Sequence, residues 1–199
     1  MRDSPAGASA ALLVDSRCQL GEGIIWDARA QCLYWTDIVG ARLWRHVPGT
    51  GRTDAWELPE PLGCLALCED GRLLLALAKS IRLADAPAPG TPLALHWLAA
   101  LEPELGASTR SNDGRCDRHG HFVFGTKDET GAPPPRGRYY QFSAAHGLRA
   151  LALPAAAVPN SICFSPDGAT LYFCDSAQPR ILCCDYDPAT GRVGTPRVF

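Results

Sequence analysis

Ile24–Trp44 reads IIWDARAQCLYWTDIVGARLW, and Ile162–Leu182 reads ICFSPDGATLYFCDSAQPRIL. Laid over each other at an offset of 138, the two stretches share Leu33/Leu171, Tyr34/Tyr172, Asp37/Asp175 and Arg42/Arg180. After two inserted residues, Thr50-Gly51-Arg52 meets Thr190-Gly191-Arg192. Weaker copies lie between them, LALCEDGRLLLALAKSIRL around Gly71 and GRCDRHGHFVFGTKDE around Gly120. The shared unit is an apolar strand, a tight polar turn and a second apolar strand. Its turns fall near Ala30, Gly71, Gly120 and Gly168, at spacings of 41, 49 and 48, a mean of 46. Asp-Gly and His-Gly between short β-rich runs read as hairpin turns. Helical periodicity is absent, and 17 Pro with 19 Gly would interrupt long helices. A four-strand unit repeating every ~40–50 residues is the pattern of a β-propeller blade. The fold expected is therefore all-β, a propeller, with a solenoid or a sandwich of unrelated hairpins as its rival.

Working outward, the 199 residues are 46% hydrophobic and 20% charged, an ordinary globular balance. Nineteen Lys and Arg against 21 Asp and Glu give a net charge of −2. That leaves no basic stripe to attract nucleic acid. The longest apolar candidates, Leu73–Ala78 and the Pro-interrupted Ala150–Val158, fall far short of the ~20 residues a membrane helix needs. The first twenty residues hold only a short apolar patch with Asp and Arg close behind it, so no signal peptide is read and a cytoplasmic location is expected. The nine cysteines contain no C-x-x-C pair and no metal-type His spacing. They are expected to be reduced core thiols, in line with cytosolic usage.

Eight residues before each turn stand Glu22, Gly63, Asn112 and Asn160. Equivalent positions in a propeller share radius and height. These four open the strand before the first turn of each unit, the strand expected to line the central channel. Three of the four carry a carboxylate or carboxamide, and hard oxygens converging on one axis suit Ca²⁺, Mg²⁺ or Mn²⁺ better than a thiophilic metal. Each residue alone has a plainer reading: Glu22 as a loop residue, Asn112-Asp113-Gly114 as a turn, Asn160 after Pro159 as a turn or cap. Their coincidence in register argues for a site.

Five motifs in order carry a resemblance. They are G-E-G-x-x-W (Gly21–Trp26), R-S-N-D-G (Arg110–Gly114), D-x-x-G-x-x-x-x-G-T (Asp117–Thr126), P-N (Pro159-Asn160), and S-P-D-G-x-x-L-Y-x-x-D-S (Ser165–Ser176) with D-Y-D-x-x-T-G (Asp185–Gly191) behind it. From about Leu20 to the last residue the sequence resembles the senescence marker protein/gluconolactonase/regucalcin family. The resemblance implies a six-bladed propeller that binds one divalent cation (Ca, Zn, Mg or Mn) in its channel and hydrolyses sugar lactones to the free acids. By position, Glu22 and Asn160 match the family's metal ligands, and Arg110 and Asn112 match residues that hold the substrate's oxygens near the metal. A cation can polarise a lactone carbonyl and acidify a bound water, while Arg110 and Asn112 orient the sugar. Without the resemblance, Arg110 reads equally well as a solvated loop charge.

Two departures stand out. Ser161 follows Asn160 where the family usually has Gly, losing a residue permissive for positive φ. Length is the second. From Glu22 onward there is room for about four units, whereas six would need about 276 residues. The family's third ligand, an aspartate that is also the general base, is expected one repeat after Asn160, beyond Phe199. Residues 1–199 are thus expected to form one incomplete propeller domain, with 1–19 as an N-terminal segment whose strand at Ala11–Cys18 closes the ring. Three functions compete: gluconolactonase-type hydrolysis of a small-molecule sugar lactone, impaired by truncation; a non-catalytic calcium-binding propeller module; and hydrolysis of esters or organophosphates on the same scaffold. Neither nucleic acid nor membrane is expected as a partner, and the sequence is silent on oligomeric state.

Overall fold

The computed structural model describes residues 10–199. The chain forms four antiparallel sheets in sequence order, each laid down strand beside strand. The first holds β1 (Gly21–Asp27), β2 (Cys32–Asp37), β3 (Arg42–Val47) and β4 (Arg52–Glu57). The second holds β5 (Leu62–Leu67), β6 (Leu73–Leu77), β7 (Ser80–Ala84) and β8 (Leu95–Ala100). A 3₁₀ segment, Pro103–Ser108, leads into the third, β9 (Thr109–Cys116), β10 (Phe122–Asp128), β11 (Tyr139–Ser143) and β12 (Gly147–Ala150). The fourth holds β13 (Pro159–Phe164), β14 (Thr170–Asp175) and β15 (Ile181–Asp187). Its outer edge is a broken strand, β16 (Arg192–Val193) and β17 (Arg197–Val198), both pairing with β15.

Four such meanders side by side are the blades of a β-propeller, as the repeat predicts. The core sits between successive sheets. Tyr34, Leu43 and Trp56 of the first blade pack with Leu62, Leu75 and Leu77 of the second. Ala76 and Ile81 of the second meet Phe122, Phe124 and Tyr140 of the third. Val123 and Tyr139 of the third meet Leu171, Phe173 and Tyr186 of the fourth. A blade between two neighbours is buried on both faces, which is why β6 is a continuous apolar run, LLLAL, with every residue buried.

Carboxylates hold the framework at both ends of the strands. Asp27 and Asp117 sit at the same place in their hairpin turns and accept backbone N–H groups two and three or four residues on, from Arg29 and Ala30 and from His119 and His121. The repeat pair Asp37/Asp175 closes the second strand of its blade. Asp37 accepts the N–H groups of Gln19, Leu20 and Gly40, and Asp175 those of Ala157, Val158 and Ala177. Each ties the segment entering the first strand to the end of the second. Burial by itself would raise both carboxyls, but these backbone donors outweigh it and hold them below the ordinary range.

Two expectations are corrected. The ring-closing strand at Ala11–Cys18 does not form: residues 10–18 hold no regular secondary structure, and Leu12 and Leu13 are exposed. A lone segment becomes a strand only where a partner edge takes its hydrogen bonds, and among the described residues no strand pairs with this one. Residues 1–9 of that N-terminal segment lie outside the described residues. The cysteines form no disulfide among the described residues, yet only Cys32, Cys64, Cys183 and Cys184 are buried, and Cys163 is exposed. Among the described residues, no helix is long and apolar enough to cross a membrane.

Candidate functional site

The innermost strands β1, β5, β9 and β13 stand at one end of each sheet's order, and their N-terminal ends converge. In every blade the pairing of the innermost strand with its neighbour slips at the position eight residues before the turn: beside Glu22, at Gly63, beside Asn112 and beside Asn160. A bulge of this kind re-aims the side chains beside it. In the first and fourth blades the following residue is left-handed, Gly23 at φ 62° and Ser161 at φ 59°. The two candidate metal ligands therefore stand on the same bulge 138 residues apart. Gly63, the exception in the polar register, is explained by closeness: a Cβ there would lie 2.5 Å from the Ser111 carbonyl carbon. Its N–H donates to Ser111 Oγ (3.2 Å), docking β5 on β9.

Three of the four residues singled out in the sequence form a hydrogen-bonded chain. Arg110 Nη1 donates to Asn112 Oδ1 (2.8 Å) and to the Ser111 carbonyl (2.8 Å). Asn112, 2% exposed, donates through Nδ2 to Asn160 Oδ1 (3.1 Å) and to the Pro159 carbonyl (3.0 Å). Asn160 Nδ2 in turn donates to Ser176 Oγ (2.7 Å). Both carboxamides are thereby oriented, with their oxygens fixed as acceptors. Glu22 is not hydrogen-bonded into this chain; its carboxylate accepts nothing among the described residues. Burial pushes its carboxyl up, the charge of Asp113 pushes it further, and Arg110 and Lys127 pull it back. Those charges place Glu22 in the field of the β9 residues across the channel. Asp113 itself accepts the N–H of Ile162 (2.9 Å), tying β9 to β13 beside Asn160.

Lys127 and Glu129, which follow a strand end in the sequence and are expected at the channel mouth, also stand here. Arg110 Nε pairs with Glu129 Oε1 at 2.7 Å, and Lys127 Nζ reaches the same oxygen at 3.1 Å. Period-two alternation at the end of β10 puts Lys127 and Glu129 on one side and sends Asp128 to the other. There Asp128 accepts from Thr130 and Arg136. The sequence signal was that alternation beside R-S-N-D-G. The aspartates of the fourth blade are occupied elsewhere: Asp167 accepts the Ala169 N–H in a turn, Asp175 holds the entering segment, Asp185 pairs with Arg197 at the exposed edge, and Asp187 accepts the Ala189 N–H and the Thr190 hydroxyl. No cluster of three or more His, Cys, Asp or Glu positioned for a metal occurs among the described residues.

The donor set nevertheless fits a hard divalent cation. A half-buried carboxylate that accepts no donor among the described residues lies in the field of a second, Asp113, a concentration of negative charge that a cation relieves.

Four-stranded sheets side by side, with polar groups at the ends of their innermost strands, define a β-propeller. The chain belongs to the SMP-30/gluconolactonase/LRE-like family, whose model matches residues 20–199. It is 48% identical over 198 residues to L-arabinolactonase of Azospirillum brasilense, covering 98% of this chain and 63% of that one. To 6-deoxy-6-sulfogluconolactonase of Pseudomonas putida it is 37% identical over 161 residues, 79% of this chain and 52% of that protein. Its fold superposes on a calcium-binding protein, regucalcin, of Agrobacterium tumefaciens with a TM-score of 0.85 and 31% identity, covering 94% of this chain and 61% of that structure. The chain thus spans about three fifths of the length of the relatives it matches. Both of these enzymes are named as lactonases.

Proposed function

We propose that this channel end is the site of a sugar lactonase, hydrolysing an aldonolactone to its aldonic acid with a divalent cation held by Glu22 and Asn160. The observation that carries the reading is the Arg110–Asn112–Asn160 chain, which joins the substrate-type residues to a candidate ligand on one oriented network. A cation bound there supplies Lewis acidity toward the lactone carbonyl and acidifies a bound water. The protein's own contribution is positional. Three of the five N–H groups of Arg110 are committed to Ser111, Asn112 and Glu129, which leaves its Nη2 to donate to a substrate oxygen. Asn112, locked by two donated hydrogen bonds, holds the Asn160 carboxamide in one orientation. Glu129, anchored by Arg110 and Lys127, retains acceptor capacity for a sugar hydroxyl. The free cysteines support a cytoplasmic setting. Ca²⁺, Mg²⁺ and Mn²⁺ fit the oxygen donors better than Zn²⁺, and a gluconolactonase-type substrate is one member of the class.

The second reading is a cation-binding propeller without turnover. It is favoured by the occupation of Asp167, Asp175, Asp185 and Asp187 in structural hydrogen bonds and ion pairs, which leaves no aspartate of the fourth blade to act as base. Thermal unfolding with millimolar Ca²⁺, Mg²⁺, Mn²⁺ or Zn²⁺, followed by lactone hydrolysis assays, separates the readings. An upward shift with one ion plus lactone turnover supports the first. A shift without turnover supports the second, and no shift with any ion refutes both.

A further inference from the structure

A cleft of about 520 Å³ runs outward from Arg110 and Glu129 along the same end of the propeller. That volume lies within the range of small-molecule sites. One wall is apolar, built from Val39, Pro59, Pro61 and Ala78. The charged side chains lining it are Arg110 and Glu129, already met in the site, and Lys79 and Glu60. The second pair is built rather than incidental. Glu60 accepts the Lys79 backbone N–H (2.6 Å) and the Ser80 hydroxyl (2.8 Å), fixing its carboxylate. Lys79 Nζ donates to the Thr109 carbonyl (3.3 Å) and Oγ1 (3.1 Å), one residue before Arg110. Of its three N–H groups one is left for a ligand. Glu102 lies behind Thr109, accepting from its hydroxyl, so Lys79 has carboxylates on two sides.

We propose that this cleft is the subsite for the exocyclic, hydroxyl-bearing end of the lactone, and that Lys79 reads it. The inference rests on the lactonase reading of the site. The apolar lining suits the C–H face of a sugar ring, and the Lys79 donor with the Glu60 acceptor suits a terminal hydroxyl. Charge decides against an anionic tail: the two cations lining the cleft face two carboxylates, and Glu102 adds a third behind Lys79. A neutral polyol end is accepted and a phosphate or sulfonate end is not.

The test is calorimetric titration of the full 199-residue chain with hydrolysis-resistant lactams. The probes are D-glucono-1,5-lactam, its 6-phosphate, and a pentono-1,5-lactam, which has no exocyclic carbon. The parent should bind the gluconolactam more tightly than its phosphate. Lys79→Met should weaken gluconolactam ~10-fold or more while leaving the pentonolactam within about twofold. Equal weakening of both lactams, no weakening of either, or tighter binding of the phosphate overturns the subsite. If neither lactam binds the parent, the lactonase reading itself has failed, and the subsite with it. Should Lys79→Met unfold the chain, Val39→Trp serves in its place. Val39 is 57% exposed at the cleft's lip, so the indole narrows the cleft without entering the core. It should lower gluconolactam affinity severalfold and spare the pentonolactam, and equal affinity for gluconolactam in Val39→Trp and parent refutes the proposal.

Discussion

Ser161 occupies left-handed backbone, φ 59°, at the bulge that aims Asn160, where the equivalent position of the first blade is Gly23 at φ 62°. For an L-residue with a Cβ this conformation costs roughly 1–2 kcal/mol. The Ser161 side chain is exposed and takes part in no hydrogen bond among the described residues, so its removal forfeits nothing that offsets the strain. Ser161→Gly removes the strain but adds about 0.5–1 kcal/mol of backbone entropy to the unfolded chain. The net expectation is stabilisation of about 0.5–1 kcal/mol, which in a protein of this size raises Tm by roughly 2–4 °C per kcal/mol. The converse substitution is Gly23→Ala. A Cβ there would have ordinary contacts, 3.8 Å from Thr36 Cγ2 and 3.9 Å from the Gly63 carbonyl oxygen. Only the backbone is penalised; with the unfolded-chain entropy now acting the other way, the expected loss is about 0.5–1 kcal/mol. Urea titration of the three proteins with a common m-value reads both numbers. Because the bulge aims the ligand, cation affinity should be kept in Ser161→Gly and fall in Gly23→Ala. Destabilisation by Ser161→Gly, or a Gly23→Ala protein as stable as the parent, would refute the account of both bulges.

The remaining expectations concern the site and the framework. Glu22→Gln neutralises a half-buried carboxylate that accepts no donor among the described residues and should weaken divalent-ion binding at least tenfold by titration calorimetry; unchanged affinity removes Glu22 from the ligand set. Asn112→Ala should weaken cation binding as well as lactone binding, because Asn112 Nδ2 holds Asn160 Oδ1. Arg110→Ala should affect lactone binding far more than cation binding, and the reverse order in the two variants would invert the assigned roles. Asp37→Asn and Asp175→Asn each turn charged acceptors of several backbone N–H groups into neutral ones and should cost about 1.5–3 kcal/mol. The folded-state carboxyls lie below the ordinary value of about 3.9, so their stabilisation is full above that pH and lost as pH falls through the folded values. Acid titration of the Asn variants should therefore show a shallower loss of stability in that window than the parent. Cys64→Ser, at 1% exposure, should destabilise by about 1–3 kcal/mol, whereas Cys163→Ser at the surface should stay within ~0.5 kcal/mol in the same urea assay.

What a sequence repeat makes legible is whatever the repeat indexes. The turns at Ala30, Gly71, Gly120 and Gly168 number the innermost strands, so the positions eight residues earlier could be read as equivalent, and in the structure each coincides with a slip in strand pairing. The index holds there because hairpin geometry fixes how many residues separate a turn from the strand it closes. It fails on the opposite connections. The second and third strands are joined by four residues between Asp37 and Arg42, two between Leu77 and Ser80, and ten between Asp128 and Tyr139. Glu129, Lys79 and Val39 come from those connections, and no common count could align them. The same failure explains Glu60. Where the first and fourth blades use an aspartate at the end of the second strand, the second blade reverses the geometry, and Glu60 of the entering segment accepts from Lys79 and Ser80. The interaction persists while its residues trade places, which a register comparison cannot detect. Within this propeller the cation-directed positions are therefore fixed by strand register, and the cleft at Lys79 is built from connections free to change length. A change of substrate is expected to appear first at Lys79 and Val39, with Glu22 and Asn160 unaltered.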